Sequence, residues 1–204
     1  MVRKTKEEAE QTRNQILDAA ERVFYIKGVS RTTLTDIADE AGVTRGAIYW
    51  HFENKSELFN AMHEREKLPF ETLFSQIRAE SPQPLEGLRD ICINALTDLQ
   101  TNEKRRRVLC VLKLRCEYVD EMAGAVERML GFQHSMVQHI TAILDRAEEL
   151  GQLREGVNTK MAAIGLHAYM GGLFESWLRD GDSFCLNSCA ENLVDIYFYS
   201  LRKR

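Results

Sequence analysis

Residues 42–52, "GVTRGAIYWHF", set a hydroxyl, a guanidinium and four consecutive ring side chains within one short run. A helix buries only one face, so four rings in a row cannot all be core, and some must present their donors and π-faces outward. Ile48 and Phe52, one turn apart, define the inward side. That leaves Arg45 with Tyr49, and Gly46 with Trp50, on the opposite face, and His51 at the border. A short helix with an exposed polar-aromatic face and a cation at its N-terminal end suits insertion into the major groove of duplex DNA. Gly46 removes a side chain where a backbone would approach such a surface. The Thr44 hydroxyl, the backbone N–H groups of the helix start and Lys55 suit phosphates. The plain alternative is a three-helix packing unit whose rings are buried against a neighbour.

Other chemistry is sparsely supported. The five histidines (51, 63, 134, 139, 167) form no HExxH or HxxxH spacing, so no metal site is expected. Cys92, Cys110, Cys116, Cys185 and Cys189 contain no CxxC pair and read as small buried thiols, with redox sensing the sharper alternative. No nucleophile elbow or comparable catalytic motif occurs. Neither a cofactor nor an enzymatic activity is expected.

The elements that would position these residues are helical throughout, because no segment sustains period-2 alternation. Thr5-x-x-Glu8 opens a helix that runs to Gly28. Thr33-x-x-Asp36 opens a short second one ending before Gly42, whose freedom to adopt a left-handed conformation suits a tight turn. Thr44 caps a third over about 45–51. Asn54-x-x-Glu57 opens a long fourth, to about 78, with Pro69 inside it as an expected bend. "AESPQP" (79–84) reads as a linker. Further helices are expected over about 85–100, 104–116, 121–151, 159–179 and 187–203. The expected fold class is all-α, with about nine helices. An N-terminal helix-turn-helix head (residues 1–55, the motif about 33–52) precedes a larger helical ligand-binding and dimerisation domain (56–204). Leu34, Ile37, Ala38, Val43, Ile48 and Phe52 are spaced to form the head's small core.

The chain has 204 residues and a formal net charge of −4. Residues 1–55 balance at nine Lys/Arg and nine Asp/Glu, leaving 18 against 22 in the remainder. The acidic balance therefore lies outside the head and does not argue against DNA as a partner. Nothing approaches an apolar run long enough for a membrane span, and the charged N-terminus lacks the apolar stretch of a secretory signal. A cytoplasmic location is expected, without membrane association.

"TTLTDIADEAGVTRGAIYWHFENKSELF" (32–59) resembles the DNA-binding signature of the TetR family of bacterial repressors, and is especially similar to the AcrR-like branch that controls multidrug efflux pumps. "RKTKEEAEQTR" (3–13) and "CEYVDEM" (116–122) add to the likeness. Position by position, the resemblance implies Thr33, Thr44, Arg45, Tyr49, Trp50, His51 and Lys55 as DNA-facing, with Ile48 and Phe52 structural. The partner it implies is a double-stranded DNA operator.

In the second domain two polar residues interrupt apolar stripes, Glu66 on the fourth helix and Gln133 on the seventh. One reading is an internal hydrogen bond or ion pair, for instance to Arg106 or Arg107. The other is an apolar cavity with a few convergent polar groups. On that reading a ligand lodges among Met62, Glu66, Phe70, Gln133, Met170 and Phe174. The resemblance favours the cavity and implies a small hydrophobic or aromatic inducer. The basic run 103–115 reads as a solvated face, with one arginine turned inward as the alternative. The eighth and ninth helices are apolar over more than one face, which calls for a partner. Gly171, Gly172, Trp177, Leu178, Leu193, Tyr197 and Leu201 are the candidate interface, and the resemblance implies a two-fold homodimer built as a four-helix bundle. The function expected is a ligand-responsive repressor of a multidrug efflux operon, binding a pseudo-palindromic operator as a dimer. The alternatives are a regulator of the same fold answering a fatty acyl or phenolic metabolite, or a helical small-molecule-binding protein or enzyme without operator binding.

Overall fold

The computed structural model describes residues 6–117, 122–181 and 183–203, with the side chains of 66–71, 75 and 78–80 left out of the description. Among the described residues nine α-helices occur: α1 Lys6–Lys27, α2 Leu34–Ala41, α3 Arg45–His51, α4 Lys55–Glu80, α5 Pro84–Thr101, α6 Glu103–Leu114, α7 Ala123–Glu149, α8 Thr159–Arg179 and α9 Leu186–Phe198. There is no strand among them, only an isolated bridge between Leu153 and Arg202. None of the described helices is long and apolar enough to cross a membrane.

Local capping chemistry sets most boundaries. At α2 the Thr33 hydroxyl accepts from the Asp36 N–H at 3.1 Å while the Asp36 carboxylate accepts from the Thr33 N–H at 2.9 Å, a reciprocal capping box. Gly42 ends α2 in the left-handed region at φ 65°, where a side chain would be strained. At α3 the Ala47 N–H donates to the Thr44 hydroxyl at 3.2 Å, and at α4 the Glu57 N–H donates to Asn54 Oδ1 at 2.8 Å. Thr5, the expected cap of α1, lies outside the described residues. The α4 helix continues through Pro69. The last helix is shorter than expected: α9 stops at Phe198 because the chain turns back, with the Arg154 N–H on the Leu201 carbonyl at 2.8 Å and the Lys203 N–H on the Gln152 carbonyl at 3.0 Å.

Two compact units form. The first comprises residues 1–66 and 107–128, the second 67–106 and 129–204. The head is therefore larger than the contiguous 1–55 expected from sequence, and the reason is packing. Ile16, Leu17, Phe24, Ile37, Ile48, Phe52, Leu58, Phe59 and Met62 bury into one core together with Val108 and Val111 of α6. Burying each such side chain stabilises by ~1.5–3 kcal/mol, so the C-terminal part of α6 belongs energetically to the head. The Val29 N–H also donates to the Arg115 carbonyl at 2.9 Å.

In the second unit α5 lies along α9, where Arg89 grips Asp195 with two hydrogen bonds of 2.6 and 2.9 Å and reaches Glu191 at 2.8 Å. That guanidinium holds the Asp195 carboxyl below the usual carboxylate range. Between α8 and α9, Tyr197 Oη donates to the Ala162 carbonyl at 2.7 Å and sits where a Cβ on Gly165 would come within 2.6 Å. A side chain at 165 would displace the Tyr197 hydroxyl from this hydrogen bond. Phe74 of α4 stacks on His139 of α7 with ring centroids 5.9 Å apart.

Candidate nucleic-acid interface

The turn 42–44 delivers α3 to the surface of the first unit with a fixed rotation. Ile48 and the terminal Phe52 are buried at 0% and 1% exposure, so the helix has a defined inner face. Thr44, Arg45, Gly46, Tyr49 and Trp50 are exposed on the other, Trp50 at 71%. His51 is half-buried, with its ring 4.4 Å from that of Trp50 in an edge-on arrangement. Exposing a tryptophan to this extent has no benefit for the fold.

Arg45 and Tyr49 act as one group. Arg45 Nη2 donates to Tyr49 Oη at 3.0 Å, and the guanidinium lies 5.4 Å from the ring centroid. This arrangement limits the rotamers of a long side chain before any partner arrives. A Cβ on Gly46 would meet only the Thr44 hydroxyl oxygen, at 3.8 Å. The chain itself thus imposes no steric demand for glycine there.

Thr33 is exposed, with its hydroxyl engaged in the cap of α2. Two carboxylates of α2 are paired: Asp36 with Lys27 at 2.7 Å and Glu40 with Arg22 at 2.6 Å. Hydrogen bonds from Lys27 and Thr33 pull the Asp36 carboxyl down to about 2. These pairs reduce the repulsion that a polyanion would meet beside α2.

Lys55 departs from expectation. It is 6% exposed, and its ammonium donates to the Thr32 carbonyl at 3.0 Å and the Ser30 carbonyl at 3.5 Å. The turn between α1 and α2 needs those carbonyls satisfied, and Lys55 does so from inside. A cation that sequence reasoning passed over is exposed nearby: Arg13 of α1 lies 5.1 Å over the Phe52 ring, at the end of α3. Its 39-residue separation from Phe52 leaves no local sequence signal.

The other candidates are distributed differently. Met62 is fully buried in the core of the first unit. The side chains of Glu66 and Phe70 lie outside the described residues. In the second unit Met170 is buried, and Gln133 and Phe174 are half-buried. Arg107, offered as a partner for Glu66, is paired with Glu21 at 2.8 Å.

Of the interface candidates, Trp177 and Leu201 are buried within the chain, and Trp177 Nε1 donates to the Phe184 carbonyl at 3.1 Å. Gly171, Leu178, Leu193 and Tyr197 are half-buried and Gly172 is exposed. A Cβ at Gly171 or Gly172 would meet no atom of the chain within 4 Å. The largest exposed apolar side chains of α8 and α9 were not among the candidates: Met161 and Ile164, and Ile196 at 66% exposure. Their spacing alone does not separate the inward from the outward apolar face. No cluster suited to a metal ion occurs among the described residues.

Two family descriptions match the chain. Bacterial regulatory proteins of the tetR family match over residues 16–62, and the C-terminal region of MAATS-type transcriptional repressors over residues 83–202. The HTH-type transcriptional regulator TtgR of Pseudomonas putida is 39% identical over 203 residues, covering 99% of this chain and 97% of its own. The crystal structure of NalD, the secondary repressor of the MexAB-OprM multidrug efflux pump in Pseudomonas aeruginosa, superposes with a TM-score of 0.87 at 42% identity, covering 97% of this chain and 99% of that one. SmeT, the repressor of the SmeDEF multidrug efflux pump of Stenotrophomonas maltophilia, solved as a complex with triclosan, gives a TM-score of 0.88 at 34% identity over 95% of this chain and 92% of that one.

Proposed function

The chain belongs to the TetR family of bacterial regulatory proteins and carries a MAATS-type repressor C-terminal region; from that premise we propose that it represses a multidrug efflux operon and is released by a hydrophobic or aromatic inducer. It is a transcriptional regulator and not an enzyme. The single observation that carries the reading is the outward face of α3, where a preorganised Arg45–Tyr49 pair and an exposed Trp50 flank a glycine that the chain does not itself require. Arg45 suits hydrogen bonding to guanine, and Tyr49 and Trp50 suit thymine methyl groups and sugars. Thr44 and Arg13 suit phosphates.

Two heads reading one duplex require a dimer, whose two-fold axis makes the operator a pseudo-palindrome. We assign the dimer face to α8 and α9, through Met161, Ile164, Gly172 and Ile196, which leave a wide apolar surface on the single chain. The inducer site is assigned to the second unit, among Gln133, Met170 and Phe174. Support for an aromatic inducer comes from SmeT, whose complex holds triclosan, and support for an efflux operon from the roles of NalD and SmeT.

The test is genetic. Deleting the gene should raise transcription of an adjoining efflux operon, and an aromatic biocide such as triclosan should raise it in the wild type but no further in the deletion strain. Unchanged efflux transcripts in the deletion strain would reject the reading.

A further inference from the structure

A glutamate sits in the core of the first unit. Glu21 of α1 is 1% exposed, between Leu17 and Phe24 on the same buried face. Its Oε1 accepts from Arg107 Nε of α6 at 2.8 Å, and its Oε2 lies 3.5 Å from Arg65 Nη2 of α4. Arg65 also donates to Asp18 at 2.8 Å, and its Nε is buried without a hydrogen-bond partner. A buried ion pair of this kind adds little stability over a well-packed apolar replacement, but it fixes a geometry.

The placement gives that geometry a use. The chain leaves the first unit after residue 66 and re-enters it at residue 107. Arg65 and Arg107 are thus at the two ends of that excursion, on α4 and α6; α7 crosses to the second unit again after residue 128. One carboxylate on α1 holds both. Other buried residues of α1, among them Ile16, Leu17, Ala20 and Phe24, share a core with Ile37, Ile48 and Phe52 of the helix-turn-helix. Glu21 is closer to α6 than to α4, and Asp18, also on α1, adds the shorter bond to Arg65.

We propose that Glu21 is the positioning residue that couples the DNA-reading head to the second unit, by clamping α4 through Arg65 and α6 through Arg107. The proposal rests on the repressor reading above. A displacement of either helix by a ligand reaches the head at this carboxylate, and α1 passes it to α3 through their shared core.

Coupling between sites is reciprocal, so the operator itself serves as the probe and no inducer need be known. Amide hydrogen exchange is followed in the full-length protein, free and bound to a duplex selected by the wild-type chain from random DNA. In the wild type, operator binding slows exchange in the head and also over 67–80 and 103–106, by a factor in the roughly 5- to 150-fold range of linked sites. Glu21→Met keeps the slowing in the head, loses it over 103–106 and weakens it over 67–80, where Asp18 still holds Arg65. Arg65→Met loses it over 67–80 alone, and Arg107→Met over 103–106 alone. Glu21→Gln, which keeps an acceptor for Arg107 Nε, restores the 103–106 response. A merely structural role would not produce this selectivity. The arginine variants stand if Glu21→Met does not fold, because each leaves the carboxylate one partner. Wild-type slowing confined to the head, or retained in both segments by the variants, overturns the clamp. If the wild type selects no sequence from the pool, the repressor reading fails first and the clamp falls with it.

Discussion

Replacing Lys55 by alanine separates two roles open to a lysine at the start of α4. The side chain is 6% exposed and donates to the Thr32 carbonyl at 3.0 Å, with the Ser30 carbonyl at 3.5 Å. A hydrogen bond from a charged group contributes ~1.5–3 kcal/mol net. The longer contact is at the limit of hydrogen bonding and adds little. Truncation should therefore destabilise the head by ~1.5–3 kcal/mol, read as a lower midpoint of urea unfolding. Operator affinity measured at several salt concentrations should keep its slope, because no phosphate contact is removed. A lysine on a phosphate would behave in the opposite way, with an unchanged midpoint and a slope flatter by ~0.9 per head. Arg13→Ala is the matched control. Arg13 is exposed over Phe52, so its removal should flatten the slope by that ~0.9 and leave stability within about 0.5 kcal/mol. A flattened slope with an unchanged midpoint for Lys55→Ala would refute the assignment of Lys55 as an anchor of the loop.

Two further outcomes follow from the same structure. The Asp36 carboxyl is held down at about 2, well below the ordinary carboxylate range, first by Lys27 and then by Thr33. Its contribution is full above the unfolded pKa and is lost as pH falls from about 4 to about 2, so Asp36→Asn should reduce the acid sensitivity of unfolding in that window; an unaltered pH profile would count against the bonds from Lys27 and Thr33 to the ionised carboxylate. Ile196→Asp places a charge on an apolar side chain that is 66% exposed in the single chain, so it should convert a dimer to folded monomers in sedimentation, and a persistent dimer would move the interface away from α9.

Sequence legibility followed the range of the interactions. The caps at Thr33, Thr44 and Asn54 and the left-handed turn at Gly42 are settled within four residues, and the helices they bound stand close to where the pattern put them. The inward side of α3 was legible for the same reason, since Ile48 and Phe52 are one turn apart. Lys55 was misplaced and Arg13 missed because burial was decided by the turn after α1, and the stacking by a helix remote in sequence. Trp177 and Leu201 are as apolar as Ile196, and only the packing of α8 and α9 against their own chain distinguishes them. The joining of 107–128 to the head depends on Val108, Val111 and Arg107 meeting α1 and α4 across most of the first hundred residues. No periodicity within α6 encodes that partner.

The central claim is that the outer face of α3 reads base sequence. The most direct measurement compares the wild type with Arg45→Ala and Tyr49→Ala, each binding the selected operator and a scrambled duplex of equal length at one salt concentration. The account predicts a loss of ~1–3 kcal/mol per base contact on the operator, little change on the scrambled duplex and unchanged unfolding midpoints, because both side chains are exposed. Wild-type discrimination between the two duplexes retained in both variants would contradict it.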